Sequence, residues 1–219
     1  MNQVTRIMIV DDHPVVRSGL AQLLGQEEDL SVCAEAESLG AALEALEAER
    51  PDLVIVDISL EHRDGIDLIK EIRARGSDAR IVVLTMHDES FHAERALRAG
   101  AQGYLTKQEA SGKILDAVRQ VLGGKLYVSQ RLSPQLLERL ITGNTDEDDP
   151  VTARLSDREL QVFLKIGKGQ GTQEIATDLN LSVKTIETYR GNIKDKLGLG
   201  DSRQLMKYAI RWALDQGRD

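Results

Sequence analysis

Asp11, Asp12, Asp57, Thr85 and Lys107 are side chains of the kinds that handle phosphate and hard cations, and each stands at or just past the end of a short apolar run. Asp11 and Asp12 follow "RIMIV", Asp57 follows "LVIV", Thr85 closes "RIVVLT" and Lys107 follows "GYLT". Three carboxylates brought together repel one another, and a hard divalent cation relieves that repulsion. An oxygen-only ligand set with room for water and phosphate suits Mg²⁺. The Thr85 hydroxyl and the Lys107 ammonium could then hold the oxygens of a phosphoryl group. Asp57 projects alone from the most apolar run and is the natural nucleophile. The chemistry would be phosphoryl transfer onto a carboxylate, which depends on in-line positioning and charge neutralisation more than on acid–base groups. Singly, each residue has a plainer use: an Asp at a strand end often caps a turn or helix, and a lone lysine is usually solvated. Their shared position at the ends of successive runs is what argues for a site.

The elements that must position them are legible in the first 124 residues. Short β-branched runs at "RIMIV", "LSVCAEA", "DLVIVD", "RIVVLT" and "GYL" alternate with amphipathic stretches of helical period. Five such alternations imply an α/β fold, a doubly wound five-stranded parallel sheet with helices on both faces. In such a sheet all strand carboxyl ends share one rim, where ligands bind. If the first and third strands are neighbours, the three carboxylates converge there. Gly25, Gly76, Gly100 and Gly123 fall near helix ends, where glycine supplies a left-handed cap.

Residues 125–152 read as a linker. A helix is expected from Ser133-Pro134, with Leu136, Leu137, Leu140 and Ile141 on one stripe, and the acidic "NTDEDDP" follows. Residues 153–219 are helical throughout, four helices in a small all-α domain. The first opens with a capping box, Ser156 and Glu159. Ala176, Asn180 and Ile186 have helix-turn-helix spacing: a small residue at the crossing, a turn former, a β-branched residue packing back. Ser182 caps the helix that follows, and Val183, Ile186, Ile193 and Leu197 line its core face. Its other face carries Lys184, Thr185, Glu187, Thr188, Gly191, Asn192 and Asp195, short polar groups fit for base edges, with Arg190, Lys194 and Lys196 near phosphates. A mid-helix glycine costs about 1 kcal/mol relative to alanine. Either close approach to DNA or tight packing within the domain would account for Gly191.

The net charge of −8 is unevenly spread: residues 1–124 hold 13 basic and 22 acidic residues, and residues 153–219 hold 12 and 9. An acidic front and a mildly basic tail suggest two tasks. The longest apolar runs fall far short of a membrane span. With Cys33 the single cysteine, no internal disulfide can form. A cytoplasmic protein is expected.

Residues 4–124 resemble the receiver domain of response regulators, a flavodoxin-like fold, through "VDD" at 10–12, Asp57 after "LVIV", Gly65, "LT" at 84–85 and "GYLTK" at 103–107. That resemblance implies that Asp57 is the phosphorylated aspartate. Asp12 and Asp57 would bind Mg²⁺ with the backbone carbonyl of Ser59, and Asp11 would act mainly through water. Lys107 would pair with the phosphoryl group, and Thr85 and Tyr104 would form a switch. Leu60-Glu61 depart from the methionine and proline usual three and four residues after the aspartate; Arg63 and, past Thr85, His87 border the same region.

Residues 153–216 resemble the LuxR-type DNA-binding domain of NarL/FixJ response regulators, through "LSDRE" at 155–159, "EIA" at 174–176, "LNLSVKTIETY" at 179–189 and "NIKDKL" at 192–197. The likeness implies base reading by Glu187, Thr188 and Gly191. It also implies a dimer contact on the last helix, with Leu205, Ala209 and Trp212 toward the core and Gln204, Lys207, Tyr208 and Arg211 as candidates for the contact. Thr172-Gln173 stand where many members have Asn-Lys, so a phosphate-contacting lysine is absent. The expected function is a transcription factor whose Asp57 is phosphorylated by a histidine kinase, with control of homodimerisation and of binding to double-stranded DNA. The alternative is a phosphorylation-independent DNA-binding regulator with a degenerate receiver.

Overall fold

The computed structural model describes residues 4–58, 60, 65–86, 90–129, 133, 151, 154–179 and 181–216. The chain forms two compact units, residues 1–144 and 145–219.

The first unit is a parallel sheet in the order β2-β1-β3-β4-β5-β6. Its strands are β1 (Thr5–Val10), β2 (Leu30–Ala36), β3 (Leu53–Val56), β4 (Arg80–Thr85), β5 (Gly103–Thr106) and β6 (Tyr127–Val128). Helices α1 (Pro14–Leu24), α2 (Leu39–Glu49), α3 (Gly65–Ala74), α4 (Ser90–Arg98) and α5 (Lys107–Leu122) alternate with them. β3 is buried at all four positions, as a central strand covered on both faces must be. One core lies between the sheet and α2, α3 and α4, around Met8, Val54, Val56, Ile69 and Val83. The other lies against α1 and α5, around Ile7, Ile9, Ile55, Val82 and Ile114. Successive residues of each strand feed opposite cores, the period-2 rule of a strand.

The sheet has six strands where five were expected. Tyr127 and Val128 pair in parallel with Gly103 and Tyr104, and the Tyr127 N–H donates to the Gln102 carbonyl at 2.9 Å. Two residues carry no periodicity, so this strand is invisible to pattern reading. It carries the sheet beyond residue 124, into the stretch read as linker. The left-handed caps also differ in part. Gly76 and Gly100 have positive φ, but Gly25 and Gly123 do not. After α5 the left-handed residue is Gly124, and Arg50 takes that conformation after α2.

The second unit holds α6 (Asp157–Gly167), α7 (Thr172–Asp178), α8 (Val183–Leu197) and α9 (Ser202–Gln216). Ser156 caps α6 in the expected reciprocal box with Glu159, and Ser182 accepts from the Thr185 N–H at 3.0 Å to start α8. Phe163 meets Trp212 edge to face at 5.7 Å in a core with Leu160, Ile186, Ile193 and Leu205. Ala176 is buried where α7 meets α8. Val183, expected in that core, is 39% exposed. Asn180, the helix expected from Ser133-Pro134 and the acidic "NTDEDDP" lie outside the described residues, apart from Ser133 itself.

Candidate functional site

The strand order assembles the rim. β1 and β3 are neighbours with Val10 opposite Val56, so Asp11 and Asp57 leave the sheet side by side. The Asp57 N–H donates to the Val10 carbonyl at 2.8 Å, extending the ladder by one residue. β4 pairs with β5, Thr85 opposite Thr106, which brings Lys107 to the same rim. Asp11, Asp57 and Thr85 are at most 2% exposed.

Lys107 Nζ lies 2.7 Å from Oδ2 of Asp57 and 2.7 Å from Oδ2 of Asp11. Burial alone would depress the Lys107 pKa, but the charges of Asp57 and Asp11 outweigh it and hold the ammonium above its ordinary value. The His13 N–H donates to Oδ1 of Asp11 at 2.8 Å. His13 Nδ1 stands 2.6 Å from Oδ1 of Asp12. Asp11 Oδ2 and Asp12 Oδ1 are buried and accept no well-directed hydrogen bond. One ligand atom from each of Asp11, Asp12, His13 and Asp57 can be chosen so that all lie within 4.8 Å of one another. Carboxylate oxygens gathered this closely, with only Lys107 and His13 beside them, are a donor set of the kind that holds a small hard cation. His13 is the member that the strand-end reading missed. Its signal was adjacency to the acid pair, since the turn into α1 folds it back.

Gly65 closes the site from below. Its N–H donates to the Ile58 carbonyl at 2.9 Å, and a Cβ there would fall 2.2 Å from the Asp57 carbonyl oxygen. The start of α3 is thereby pressed against the backbone of Asp57. Tyr104 is wholly buried on β5, and Leu60 is buried as an apolar replacement should be. Ser59, Glu61, Arg63 and His87 lie outside the described residues.

The second candidate surface is the outer face of α8. Lys184, Glu187, Thr188, Asn192 and Asp195 are exposed, and Thr185, Gly191 and Lys194 are half-buried. Nothing stands within 4 Å of a Cβ built on Gly191, so packing among the described residues does not require this glycine. Glu187 Oε1 accepts from the Thr172 hydroxyl at 3.0 Å. Two residues expected near phosphates are placed differently. Arg190 is only 8% exposed, on the buried side of the helix. Lys196 Nζ binds the buried Glu159 carboxylate at 2.6 Å, tying the end of α8 to the start of α6.

On α9, Leu205, Ala209 and Trp212 face the core as expected. Gln204, Lys207 and Arg211 are exposed, and Tyr208 is half-buried with its ring 6.0 Å from Phe163. A second apolar stripe was missed: Met206, Ile210 and Leu214 are 41%, 38% and 61% exposed at spacing i, i+4, i+8. It was legible in the sequence, but one apolar face per helix was all that a core required.

Residues 7–119 match the family described as response regulator receiver domain, and residues 153–209 match bacterial regulatory proteins, luxR family. The chain is 35% identical to the oxygen regulatory protein NreC of Staphylococcus haemolyticus, over 94% of this chain and 97% of that one. It is 33% identical to the response regulator UvrY of Escherichia coli O157:H7, over 95% and 94%. Among solved structures it resembles RcsB from Salmonella enterica serovar Typhimurium bound to promoter rprA in the presence of phosphomimetic BeF₃⁻, at 30% identity and TM-score 0.57, over 95% of this chain and 99% of that one.

Proposed function

This chain belongs to the response regulators that join a receiver to a LuxR-type DNA-binding domain, and on that premise we propose that Asp57 is its phosphoacceptor and α8 its reader of DNA. The observation that carries the proposal is the rim itself: three clustered carboxylates, two of them sharing one lysine at 2.7 Å.

The phosphodonor is a histidine kinase or a small acyl phosphate. A carboxylate oxygen of Asp57 attacks phosphorus in line; the P–O bond to Asp57 forms as the bond to the donor's nitrogen or acyl oxygen breaks. The departing imidazole or acylate leaves with the rest of the donor. Asp12 and Asp57, with the Ser59 carbonyl and with Asp11 mainly through water, would hold Mg²⁺, which would supply charge neutralisation at the transferring oxygens. Lys107 then shifts its ammonium from carboxylate to phosphoryl oxygen. The Thr85 hydroxyl follows toward the phosphoryl group, and Tyr104, on the neighbouring strand β5, adjusts its packing with it. The aspartyl phosphate is a signal, so the protein works as a switch and not as an enzyme turning over a free substrate.

The output is transcription regulation by a homodimer on double-stranded DNA. In this reading α8 enters the major groove, with Glu187, Thr188 and Gly191 toward base edges and Lys184, Thr185 and Lys194 toward the backbone. Arg190 supports the helix from its buried side, and Lys196 ties its end to Glu159. Met206, Ile210 and Leu214, flanked by Gln204, Lys207 and Arg211, form the dimer contact. A chain that meets a kinase and DNA works in the cytoplasm; among the described residues no helix is long and apolar enough to cross a membrane.

Intact mass after incubation with acetyl phosphate tests the receiver. One added phosphoryl group is expected with Mg²⁺, and none without Mg²⁺ or in Asp57→Asn. No addition from a small donor or a kinase would favour the phosphorylation-independent regulator.

A further inference from the structure

We propose that Thr172 is a positioning residue for DNA reading: it fixes the Glu187 carboxylate so that one oxygen is committed to the protein and the other is offered to the exocyclic amine of a single base. The inference rests on the docking of α8 described above and names what that helix recognises through Glu187.

Thr172 is the first residue of α7, and Glu187 lies in the second turn of α8. The turn between the helices brings them to 3.0 Å, Thr172 Oγ1 to Glu187 Oε1. A carboxylate only accepts, so the hydroxyl is the donor. An exposed glutamate has three rotatable bonds and samples many rotamers, at a cost when binding must select one. Threonine is stiff at χ1. The hydrogen bond therefore transfers the rigidity of α7 to the tip of Glu187 before any ligand arrives.

The surroundings bear out a directional role. Gly191, four residues on and on the same helical face, leaves open space beside Glu187, with nothing within 4 Å of an added Cβ. A base edge can approach over that bare patch and meet Oε2. In the major groove an acceptor-only group is satisfied by cytosine N4 or adenine N6. It is opposed by the guanine O6 and N7 acceptors. Thr172 itself reaches no base in this arrangement; it acts through Glu187.

The full-length protein is incubated with duplexes carrying a randomised 20-bp centre, and the bound fraction is sequenced for the native chain, T172V, T172S and E187A. The native chain is expected to enrich cytosine or adenine at one position per half-site, and E187A to lose that enrichment there alone. T172V, which keeps the shape and removes the donor, is expected to lower discrimination at the same position about fivefold, the value of one modest hydrogen bond. T172S, which restores the donor, is expected to match the native preference. Unchanged discrimination in T172V, an equal loss at all positions, or a T172S profile like that of T172V would overturn the proposal. If E187A leaves every position as in the native chain, the docking of α8 is what has failed, and the inference falls with it.

Discussion

Two glycines show how far one methyl group can carry in opposite directions. At Gly65 an added Cβ falls 2.2 Å from the Asp57 carbonyl oxygen and 2.6 Å from the Ile58 Cα. Both are backbone atoms that move only with β3. Gly65→Ala is expected to destabilise the receiver by about 2 kcal/mol, the usual scale of overpacking, and to displace Asp57. Urea unfolding and phosphoryl uptake by intact mass should both report it. At Gly191 the added methyl meets nothing. Gly191→Ala is expected to stabilise the second unit by about 1 kcal/mol through helix propensity and to weaken duplex binding by standing between α8 and the base edges. Thermal melting and binding by fluorescence anisotropy would thus move in opposite senses. Lys107 gives a pH signature. Its raised folded pKa means that its stabilising effect is complete below the ordinary lysine value of about 10.5 and is lost as pH rises through the folded value. Lys107→Met, measured without metal, is expected to cost about 3 kcal/mol at pH 7, as for other broken buried pairs. That gap should stay constant from pH 6 to 9 and narrow only above pH 10.5. Asp11, Asp57, Thr85 and Lys107 were legible because strand alternation places them on one rim. Arg190 and Lys196 were not, because charge alone does not say which side of a helix is free and which meets a buried Glu159.

Among the elements, α9 carries two apolar stripes on one rod. One holds the domain core together, and the other is left in solvent at Met206, Ile210 and Leu214. The exposed stripe lies outside the domain core, so a charge there is expected to separate association from folding. Met206→Glu with Ile210→Glu is expected to leave the melting temperature of the isolated second unit within about 2 °C. The same pair is expected to abolish dimerisation of the full chain on DNA, as read by sedimentation velocity. The helices and the first five strands could be read from period and cap, since Ser156 and Ser182 announce two helix starts with side chains that accept from the backbone. β6 could not be read, because a two-residue strand is defined only by the partner it pairs with. Arg73 belongs to the same category. Its guanidinium donates to the carbonyls of Ser77, Ala79 and Gly100 and to Gln102 Oε1, joining two loops that sequence leaves unrelated.

Over the whole molecule the charge is divided between the units, the acidic one carrying the carboxylate cluster of the rim and the mildly basic one the polar outer face of α8. The outer face of α8 is modest in cations. With Arg190 buried and Lys196 engaged, Lys184 and Lys194 remain on the α8 face, so if α8 docks as proposed a dimer would offer about four phosphate contacts from these helices. The slope of log affinity against log salt is then expected near −4. A titration between 50 and 200 mM salt that gave −8 or steeper would mean that other surfaces carry the binding.

Strand β6 also bears on where this receiver ends. Without Tyr127 and Val128, β5 would be the last strand of the parallel sheet, with the N–H and C=O groups along its outer edge bare and ready to pair with another chain. A receiver cut after residue 124, at the end of its last large helix, would expose that edge and tend to self-associate through it. One cut after residue 129 keeps its own selvedge. The few residues that lead out toward the second unit thus also serve the first as its hem, and solubility of the separated receiver would turn on five residues that belong to neither a helix nor the phosphorylation site.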